Sequence, residues 1–400
     1  MATRISSHLV RTSGSPDVIV IGAGVVGAAC AHYAARAGLS VTVLDRGPVA
    51  GGTTGAGEGN LLVSDKEPGA ELELALYSLR LWRELAEELP SAIEYETKGG
   101  VVVASDETRL AALRALAAAQ TDAGAETREV SGGELRDLEP HLAEGMPGGV
   151  HYPQDAQVHP ALAAAHLLRA SGAEVRCGEE VTAVLTAADG TVRGVATASG
   201  DRLLAPYVVN AAGTWGGEIA RMAGVRLPVL PRRGFVLVTE PLPRIVRHKV
   251  YAADYVADVA SGSAALQTSA VVEGTPAGPV LIGASRERVG FDRTLSTEVL
   301  RRLADRATAL FPVLGGVRAI RAYAGFRPYL PDHLPAIGHD PRVPGLLHAC
   351  GHEGAGIGLA PATGALTAAA LTGSAPPLDP RPFRPDRFPD SSAAPDRRPR

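Results

Sequence analysis

Residues 17–46 combine two apolar runs with an alanine-rich segment, in the sequence DVIVIGAGVVGAACAHYAARAGLSVTVLDR. The runs at 17–21 and 41–44 are rich in valine and isoleucine, which is typical of parallel strands that are buried on both faces. The alanine-rich segment between them predicts a helix that ends at Gly38. A strand, a helix and a second strand within about 30 residues form a βαβ unit, so we expect a parallel sheet.

Three glycines at GxGxxG spacing join the first strand to the helix. Gly22 suits the tight turn, Gly24 lets the backbone approach a pyrophosphate, and Gly27 lets the helix and strand pack closely. The start of the helix supplies N–H groups and the positive end of a dipole for phosphates. Asp45, at the end of the second strand, is placed to accept a hydrogen bond from a ribose hydroxyl. The complete unit predicts a dinucleotide site, for either NAD or FAD.

Composition limits the classes of function that remain. The net charge of −4 and the pI near 6.3 offer no basic surface, so we expect no nucleic-acid partner. The three cysteines, Cys30, Cys177 and Cys350, are far apart in sequence and indicate neither a metal site nor an iron–sulfur cluster. No apolar run approaches about 20 residues, and no secretion signal is evident, which predicts a cytoplasmic protein without a membrane span.

The features typical of a nucleotide site recur at 22–60, 210–217 and 351–364, separated by long segments of different character. This order predicts one domain assembled from several pieces, with a second domain inserted between them. The 400 residues are enough for two domains. We expect an α/β nucleotide domain of Rossmann-like fold at 17–90, 151–224 and 327–388, an α+β substrate domain with an antiparallel sheet at 91–150 and 225–326, and disordered tails at 1–16 and 389–400.

Six motifs, in this order and spacing, resemble one superfamily. They are GAGVVG at 22–27, Asp45-Arg46, the glycine-rich loop at 51–61, NAAGTW at 210–215, GFRP at 325–328 and GHEGAGIGLAP at 351–361. The chain is similar to the D-amino-acid oxidase, glycine oxidase and sarcosine oxidase superfamily of FAD-dependent amine oxidoreductases. Within it, the chain most resembles FAD subunits of multi-subunit dehydrogenases of the D-hydroxyproline dehydrogenase and hydrogen cyanide synthase type.

The resemblance implies FAD as the cofactor and assigns residues to it. The implied FAD-binding residues are Gly22, Ala23, Gly24, Val25, Val26, Gly27, Asp45, Arg46, Thr53, Thr54, Gly59, Asn60, Leu61, Val181, Ala212, Gly213, Trp215, Gly354, Ala355, Gly356 and Ile357. Family members with covalent flavin carry a cysteine where Gly325 stands or a histidine within 53–58, and this chain has neither. FAD is therefore expected to be non-covalent. Glu58 is an unusual charge for its loop, and it faces either the flavin or a partner subunit.

The resemblance also implies a reaction. It is the oxidation of a small amino or imino acid, of the D-amino acid, D-hydroxyproline, glycine or sarcosine class, by hydride transfer to flavin N5. Arg327 of the GFRP motif is expected to hold the substrate carboxylate, because guanidinium pairs with a carboxylate through two hydrogen bonds. The alternative is an arginine that only ties down its strand. Tyr255 is the preferred substrate-facing hydroxyl, with Tyr251 and Tyr329 as alternatives.

The loop at 351–358 precedes a helix expected from about Leu359, with Pro361 in its first turn. Free N–H groups there suit negative charge that develops on the reduced flavin. His352 within this loop is expected to be structural.

Electron transfer and rival functions complete the expectations. Sarcosine-type oxidases use a lysine near the flavin to promote reaction with oxygen, and the corresponding strand at 281–287 has none. This favours a dehydrogenase that passes electrons to iron–sulfur and second flavoprotein subunits. The alternatives are an FAD dehydrogenase of a 2-hydroxy acid or glycerol phosphate, and a flavin-bearing subunit without catalysis of its own.

Overall fold

The computed structural model describes residues 14–256 and 261–388. Most of the two tails expected to be disordered, 1–13 and 389–400, lies outside the described residues. The strands within the described residues are, in chain order, β1 (Val18–Ile21), β2 (Val41–Asp45), β3 (Asn60–Leu61), β4 (Gly100–Ala104), β5 (Arg128–Ser131), β6 (Gly148–Tyr152), β7 (Ala156–Gln157), β8 (Glu174–Cys177), β9 (Val181–Thr186), β10 (Val192–Thr197), β11 (Arg202–Leu204), β12 (Tyr207–Asn210), β13 (Leu230–Thr239), β14 (Lys249–Ala252), β15 (Gln267–Gly274), β16 (Val280–Arg286), β17 (Ala319–Tyr329), β18 (Ala336–His339) and β19 (Leu346–Cys350). The α-helices of the same residues that the structure bounds are α1 (Val25–Arg36), α2 (Ala70–Glu88), α3 (Glu107–Asp122), α4 (Gly132–Leu138), α5 (Pro160–Ser171), α6 (Gly216–Met222), α7 (Thr297–Leu310) and α8 (Gly356–Thr372).

The first large sheet has six strands in the order β18-β19-β12-β1-β2-β8. All neighbouring pairs are parallel except β18 with β19. The apolar run of β1 is divided between two cores: Val18 and Val20 pack with α1, while Ile19 and Ile21 pack with the β9–β11 meander and α6. This is the doubly covered parallel sheet that the βαβ unit predicts.

The second large sheet has eight strands in the order β17-β13-β16-β15-β14-β4-β6-β5. All neighbouring pairs are antiparallel except β14 with β4. One face packs against α7, where Leu303 joins Phe235 and Ile282 in an apolar core. The other face lies toward the first sheet, and Val102, Val150 and Tyr251 on it share a core with α1 and α2. The expected mixed α/β class with a second antiparallel sheet is confirmed.

The two large sheets use strands from different segments of the chain. Strands of the six-stranded sheet come from the segments assigned to the nucleotide domain, and most strands of the eight-stranded sheet come from the inserted segments. β6 and β17 run across the boundaries placed at 150/151 and 326/327. The division into two domains stays a proposal.

The last helix begins earlier than expected. It starts at Gly356 rather than near Leu359, so Pro361 lies in its second turn rather than its first, and that expectation was wrong. A proline inside a helix leaves the carbonyl four residues earlier without an N–H partner. The indole N–H of Trp82 donates to that carbonyl, on Ile357, at 3.1 Å. A side chain from α2 therefore stabilises the helix where its own backbone cannot.

Candidate active site

A cavity of about 500 Å³ lies between the two large sheets and brings together most of the candidate site residues. A volume of this size is typical of a small-molecule site. The candidates in its wall are Gly22, Gly24, Val25, Val26, Asp45, Arg46, Thr53, Thr54, Gly59, Asn60, Val181, Ala212, Gly213, Trp215, Tyr255, Arg327, Gly354, Gly356 and Ile357. These residues converge in space although they come from segments up to more than 300 residues apart in sequence.

Four of the candidates do not line this cavity but are next to residues that do. The N–H of Ala23 donates to Asp45 Oδ2 at 2.7 Å. A Cβ on Gly27 would overlap the carbonyl oxygen of Gly22, so glycine permits the contact of α1 with the turn. Leu61 is fully buried in β3. Ala355 lines a neighbouring cavity.

The nucleotide wall is made mainly of backbone. α1 begins at Gly24, which offers no side-chain cap, and has no acidic residue in its first turn. The N–H of Val25 donates to Thr54 Oγ1 at 3.0 Å, and the positive end of the helix favours an anion beside it. Gly22 has φ +117°, and a Cβ there would overlap the carbonyl oxygen of Ala211. The two carboxylate oxygens of Asp45 accept from the N–H groups of Ala23 and Gly47, at 2.7 and 2.8 Å. These bonds fix Asp45 at the edge of the cavity.

A loop at 53–60 is pressed against the eight-stranded sheet. Thr53 Oγ1 donates to the carbonyl of Phe326 at 2.6 Å. A Cβ on Gly325 would lie 2.7 Å from Cβ of Ala56, and one on Gly283 would overlap Glu58. Glycines on two strands therefore let the loop approach the sheet closely.

Glu58 lies in the wall of the cavity. Its side chain is 9% exposed. Asn60 Nδ2 donates to Glu58 Oε2 at 2.9 Å, and Nζ of Lys249 lies 3.6 Å from the same oxygen. Lys249 also lies 3.6 Å from Oε2 of the buried Glu273. The strand at 281–287 has no lysine. Lys249 of β14 instead contacts Glu58 of the cavity wall, and the carboxylates of Glu58 and Glu273 both lie beside it.

Arg327 lies on β17 with its guanidinium in the cavity wall. Its Nη1 donates to the carbonyl of Ser285 at 2.8 Å, which ties it to β16. Among the described residues, no carboxylate lies within ion-pair distance of it. Burial and the nearby charge of Arg286 lower its pKa. The one backbone bond leaves most of the guanidinium's donors for a ligand.

The structure separates the three candidate tyrosines. Tyr255 lies in the cavity wall and makes an edge contact with Tyr251, whose ring centre is 4.9 Å away. Tyr251 is fully buried, and its hydroxyl donates to Ser64 Oγ. Tyr329 is buried against His333, with ring centres 5.2 Å apart, and is not in the wall of this cavity.

His352 is buried, and Thr363 Oγ1 of α8 lies 2.9 Å from its Nε2. Burial lowers its pKa to about 3, so the ring is neutral at physiological pH. The contact fastens the loop to α8.

A charged cluster beside the site has no counterpart among the sequence-based candidates. Glu353, at φ +48°, pairs with Arg232 of β13 and with His333 Nδ1, the latter at 2.9 Å. Arg232 pairs with Arg327 in the β13–β17 register and is 1% exposed. This cluster holds the loop that starts α8 in place. Arg232 and Glu353 are 121 residues apart; Glu353 lies in the 351–361 motif, whereas Arg232 lies outside all six motifs.

A family model described as "FAD dependent oxidoreductase" matches residues 17–370. The chain belongs to this family. Hydrogen cyanide synthase subunit HcnC of Pseudomonas aeruginosa is 30% identical, with 94% of this chain and 97% of that protein covered. Glycine oxidase of the same organism is 31% identical, with 93% and 99% covered. The crystal structure of glycine oxidase from Geobacillus kaustophilus matches with a TM-score of 0.84 at 27% identity, covering 94% of this chain and 99% of that one.

FAD is therefore the cofactor of this chain, as expected. The wall described above fits it: an uncapped helix start suits the pyrophosphate, and glycines leave room for the backbone to approach. The individual FAD-binding residues and the non-covalent attachment stay predictions. Within residues 14–256 and 261–388, the helices are each too short or too polar to cross a membrane.

Proposed function

We propose that this protein oxidises the C–N bond of a small amino or imino acid with FAD as the electron acceptor. The observation that carries the proposal is the guanidinium of Arg327, which lies in the wall of the FAD cavity without a carboxylate partner among the described residues. Burying such a charge is unfavourable unless a ligand compensates it. The carboxylate of an amino acid is the ligand that this group pairs with best.

The residues of the chain divide the work as follows. Arg327 binds the carboxylate and thereby fixes the substrate's Cα–H bond relative to the cavity. Tyr255 closes the wall beside it and offers a hydroxyl for orientation. When bound, FAD supplies the two-electron acceptor for that bond. The start of α8, which has neither a side-chain cap nor an acid in its first turn, stabilises negative charge in the cavity. The substrate leaves as an imine, which water hydrolyses to an oxo acid and an amine.

Partner subunits are part of the proposal. A relative at 30% identity is named as a subunit of hydrogen cyanide synthase, which supports a place for this chain in a larger enzyme. Burial raises the pKa of Cys30 and of Cys350 to about 12, and the third cysteine, Cys177, is exposed. An iron–sulfur cluster would therefore be held by another chain. Faster turnover with an artificial dye than with oxygen is expected, and rapid peroxide production by the isolated chain would contradict this.

The test of the reaction is anaerobic bleaching of the FAD-loaded protein by a panel of substrates. The panel holds glycine, sarcosine, D-alanine, D-proline and D-hydroxyproline, with 2-hydroxy acids and glycerol 3-phosphate as the alternatives. We expect bleaching by amino or imino acids. Bleaching only by hydroxy compounds, or by nothing, would contradict the proposal.

Arg327→Met should lower the rate of bleaching at low substrate concentration by about ten- to a hundredfold, because one charge-assisted pair is lost. Arg327→Lys keeps the charge but not the fork, so it should be impaired less. The matched control is Arg321→Met, which removes an exposed arginine from the same strand. The corresponding decarboxylated amine should react with wild type and Arg327→Met alike. An undiminished preference for the acid in Arg327→Met would show that another group holds the carboxylate.

A further inference from the structure

A second cavity, of about 320 Å³, adjoins the first. The two cavities share four wall residues, Tyr255, His352, Glu353 and Gly354. Gly69 and Ala70, at the start of α2, line the second cavity from the other side, and this helix start has no side-chain cap. The second cavity therefore adjoins the first, and the start of α2 in its wall carries two acids, Glu71 and Glu73, in its first turn.

Most charged groups in the second wall already have partners. Lys66 pairs with Asp65 and lies 3.9 Å from Glu71. His333 pairs with Glu353, as described above, and Asp332 accepts from Arg387 Nε at 2.6 Å. Glu67 is exposed to solvent. Burial raises the pKa of Glu71 to about 7, which reduces its negative charge near neutral pH.

Arg286 is the exception. It is 3% exposed, lies in the wall of the second cavity, and its guanidinium carbon stands 4.5 Å from the ring centre of Tyr255. Within residues 14–256 and 261–388 its side chain has neither a hydrogen bond nor an ion pair. Arg327 shares this lack of a carboxylate. Four other buried cations of the described residues each have a carboxylate within 4.0 Å; they are Lys66, Arg232, Arg233 and Lys249.

Arg286 and Arg327 are close to each other. Arg327 donates to the carbonyl of Ser285, and Arg286 is the next residue on β16. Two guanidinium groups without carboxylate partners thus stand at adjoining cavities, separated by Tyr255. Two like charges at short range favour a ligand with two negative groups.

We propose that Arg286 is a second anion-binding residue and that the substrate is an amino or imino acid with a second carboxylate. Arg327 takes the carboxylate next to the oxidised carbon, and Arg286 takes the one at the end of the side chain, in the second cavity. This rests on the proposed function, whose substrate class it narrows. Stacking on Tyr255 orients the guanidinium and leaves its edge for a bidentate pair.

Matched substrate pairs test the proposal in the FAD-loaded protein. Glutamate against glutamine, and aspartate against asparagine, change the charge of the side chain at almost constant shape, in both D and L forms. We expect the second-order rate constant of flavin bleaching in wild type to be about ten- to a hundredfold higher for the acid than for the amide. In Arg286→Met this ratio should fall to about one, and in Arg286→Lys it should be intermediate. The control, Arg321→Met, should keep the wild-type ratio.

Ligand-induced stabilisation gives a readout that does not depend on turnover. Glutarate has two carboxylates and no amine, and valerate has one carboxylate in a chain of the same length. Glutarate should raise the melting temperature of wild type and of Arg321→Met more than valerate does, and this difference should vanish in Arg286→Met.

The outcomes separate the two proposals. An equal rate with acid and amide in wild type, or a preference that survives in Arg286→Met, overturns the second site and leaves amino-acid oxidation standing. Stabilisation by glutarate that depends on Arg286, without bleaching by any amino acid, supports the anion site and overturns the proposed reaction. If Arg286→Met does not fold, the wild-type ratio and Arg286→Lys decide.

Discussion

The two walls of the cavity are built from different material. The wall on the six-stranded sheet presents backbone N–H groups and glycines, with Asp45 held by two backbone bonds. The wall on the side of the eight-stranded sheet presents charged side chains, Arg327 of β17 and Glu58 of the 53–60 loop, and Lys249 and Glu273 lie behind Glu58. The difference suits the two ligands that we propose. Backbone N–H groups bind the phosphates of a dinucleotide in many proteins, whereas charged side chains can discriminate a substrate by its charges.

Each wall should fail in its own way when it is changed. In the backbone wall, a single added methyl group should destroy the local geometry, because backbone cannot move aside. In the side-chain wall, loss of one group should leave a charge without compensation and cost stability or specificity. The following variants test this distinction.

Gly27→Val should have the largest effect. A Cβ at this position overlaps the carbonyl oxygen of Gly22, so α1 and the turn cannot keep their contact. We expect little folded, FAD-containing protein, as judged by the flavin absorbance of the purified chain. The control is Gly133→Val, an exposed position with nothing within 4 Å of an added Cβ. Normal FAD content in Gly27→Val would refute the close contact.

Lys249→Met should cost the next largest amount. It leaves Glu58 buried without its cation, whereas Glu273 keeps Lys98, whose Nζ lies 3.1 Å from its Oε1. Breaking a buried pair typically costs about 3–5 kcal/mol of unfolding free energy. Denaturant unfolding of the FAD-loaded protein measures the loss. The double variant Lys249→Met with Glu58→Gln should recover part of it, since the carboxylate that loses its cation is also removed. A loss below about 1 kcal/mol in the single variant would mean that the three groups do not interact as the geometry indicates.

Asp155→Asn should change the pH dependence of stability. Burial raises the pKa of Asp155 to about 7, and the nearby charge of Asp65 adds to the rise, although Val63 N–H and Ser64 Oγ donate to the carboxylate. The unfolded chain releases this proton near pH 4, so its stabilising contribution is complete below pH 4 and is lost as the pH rises to about 7. Between pH 5 and 7, wild type should lose about 1–2 kcal/mol more than Asp155→Asn. Parallel curves for the two proteins would contradict the raised pKa.

Asp45→Asn should have the smallest effect. An amide oxygen still accepts one of the two backbone bonds, whereas the amide nitrogen cannot accept the other or a ribose hydroxyl. We expect FAD to bind about five- to tenfold more weakly, as one hydrogen bond is worth about 1 kcal/mol. Flavin fluorescence titration measures the affinity, and Glu180→Gln is a matched change of an acid in the same cavity. An effect as large as that of Gly27→Val would erase the contrast between side-chain and backbone contributions.

The backbone wall was largely predictable from sequence. The glycines at 22, 24 and 27, the strand end at Asp45 and the open helix start are local properties, so their spacing along the chain defines their geometry. The start of α8 was placed too late, because the carbonyl left open by Pro361 is satisfied by Trp82 from another helix, which no local pattern reveals.

The side-chain wall depended on the tertiary structure. Arg286 is one of 39 lysines and arginines in the chain, and nothing near it in sequence shows that it is buried without a carboxylate. Lys249 and Glu58, 191 positions apart, meet because the 53–60 loop packs against the eight-stranded sheet that contains β14. Register between distant strands decides such encounters, and it depends on the packing of the whole chain. The sequence by itself therefore predicted the backbone geometry of the nucleotide wall and the position of Arg327, whereas only the tertiary structure showed that Arg286 lies in a cavity wall and that Lys249 lies beside one.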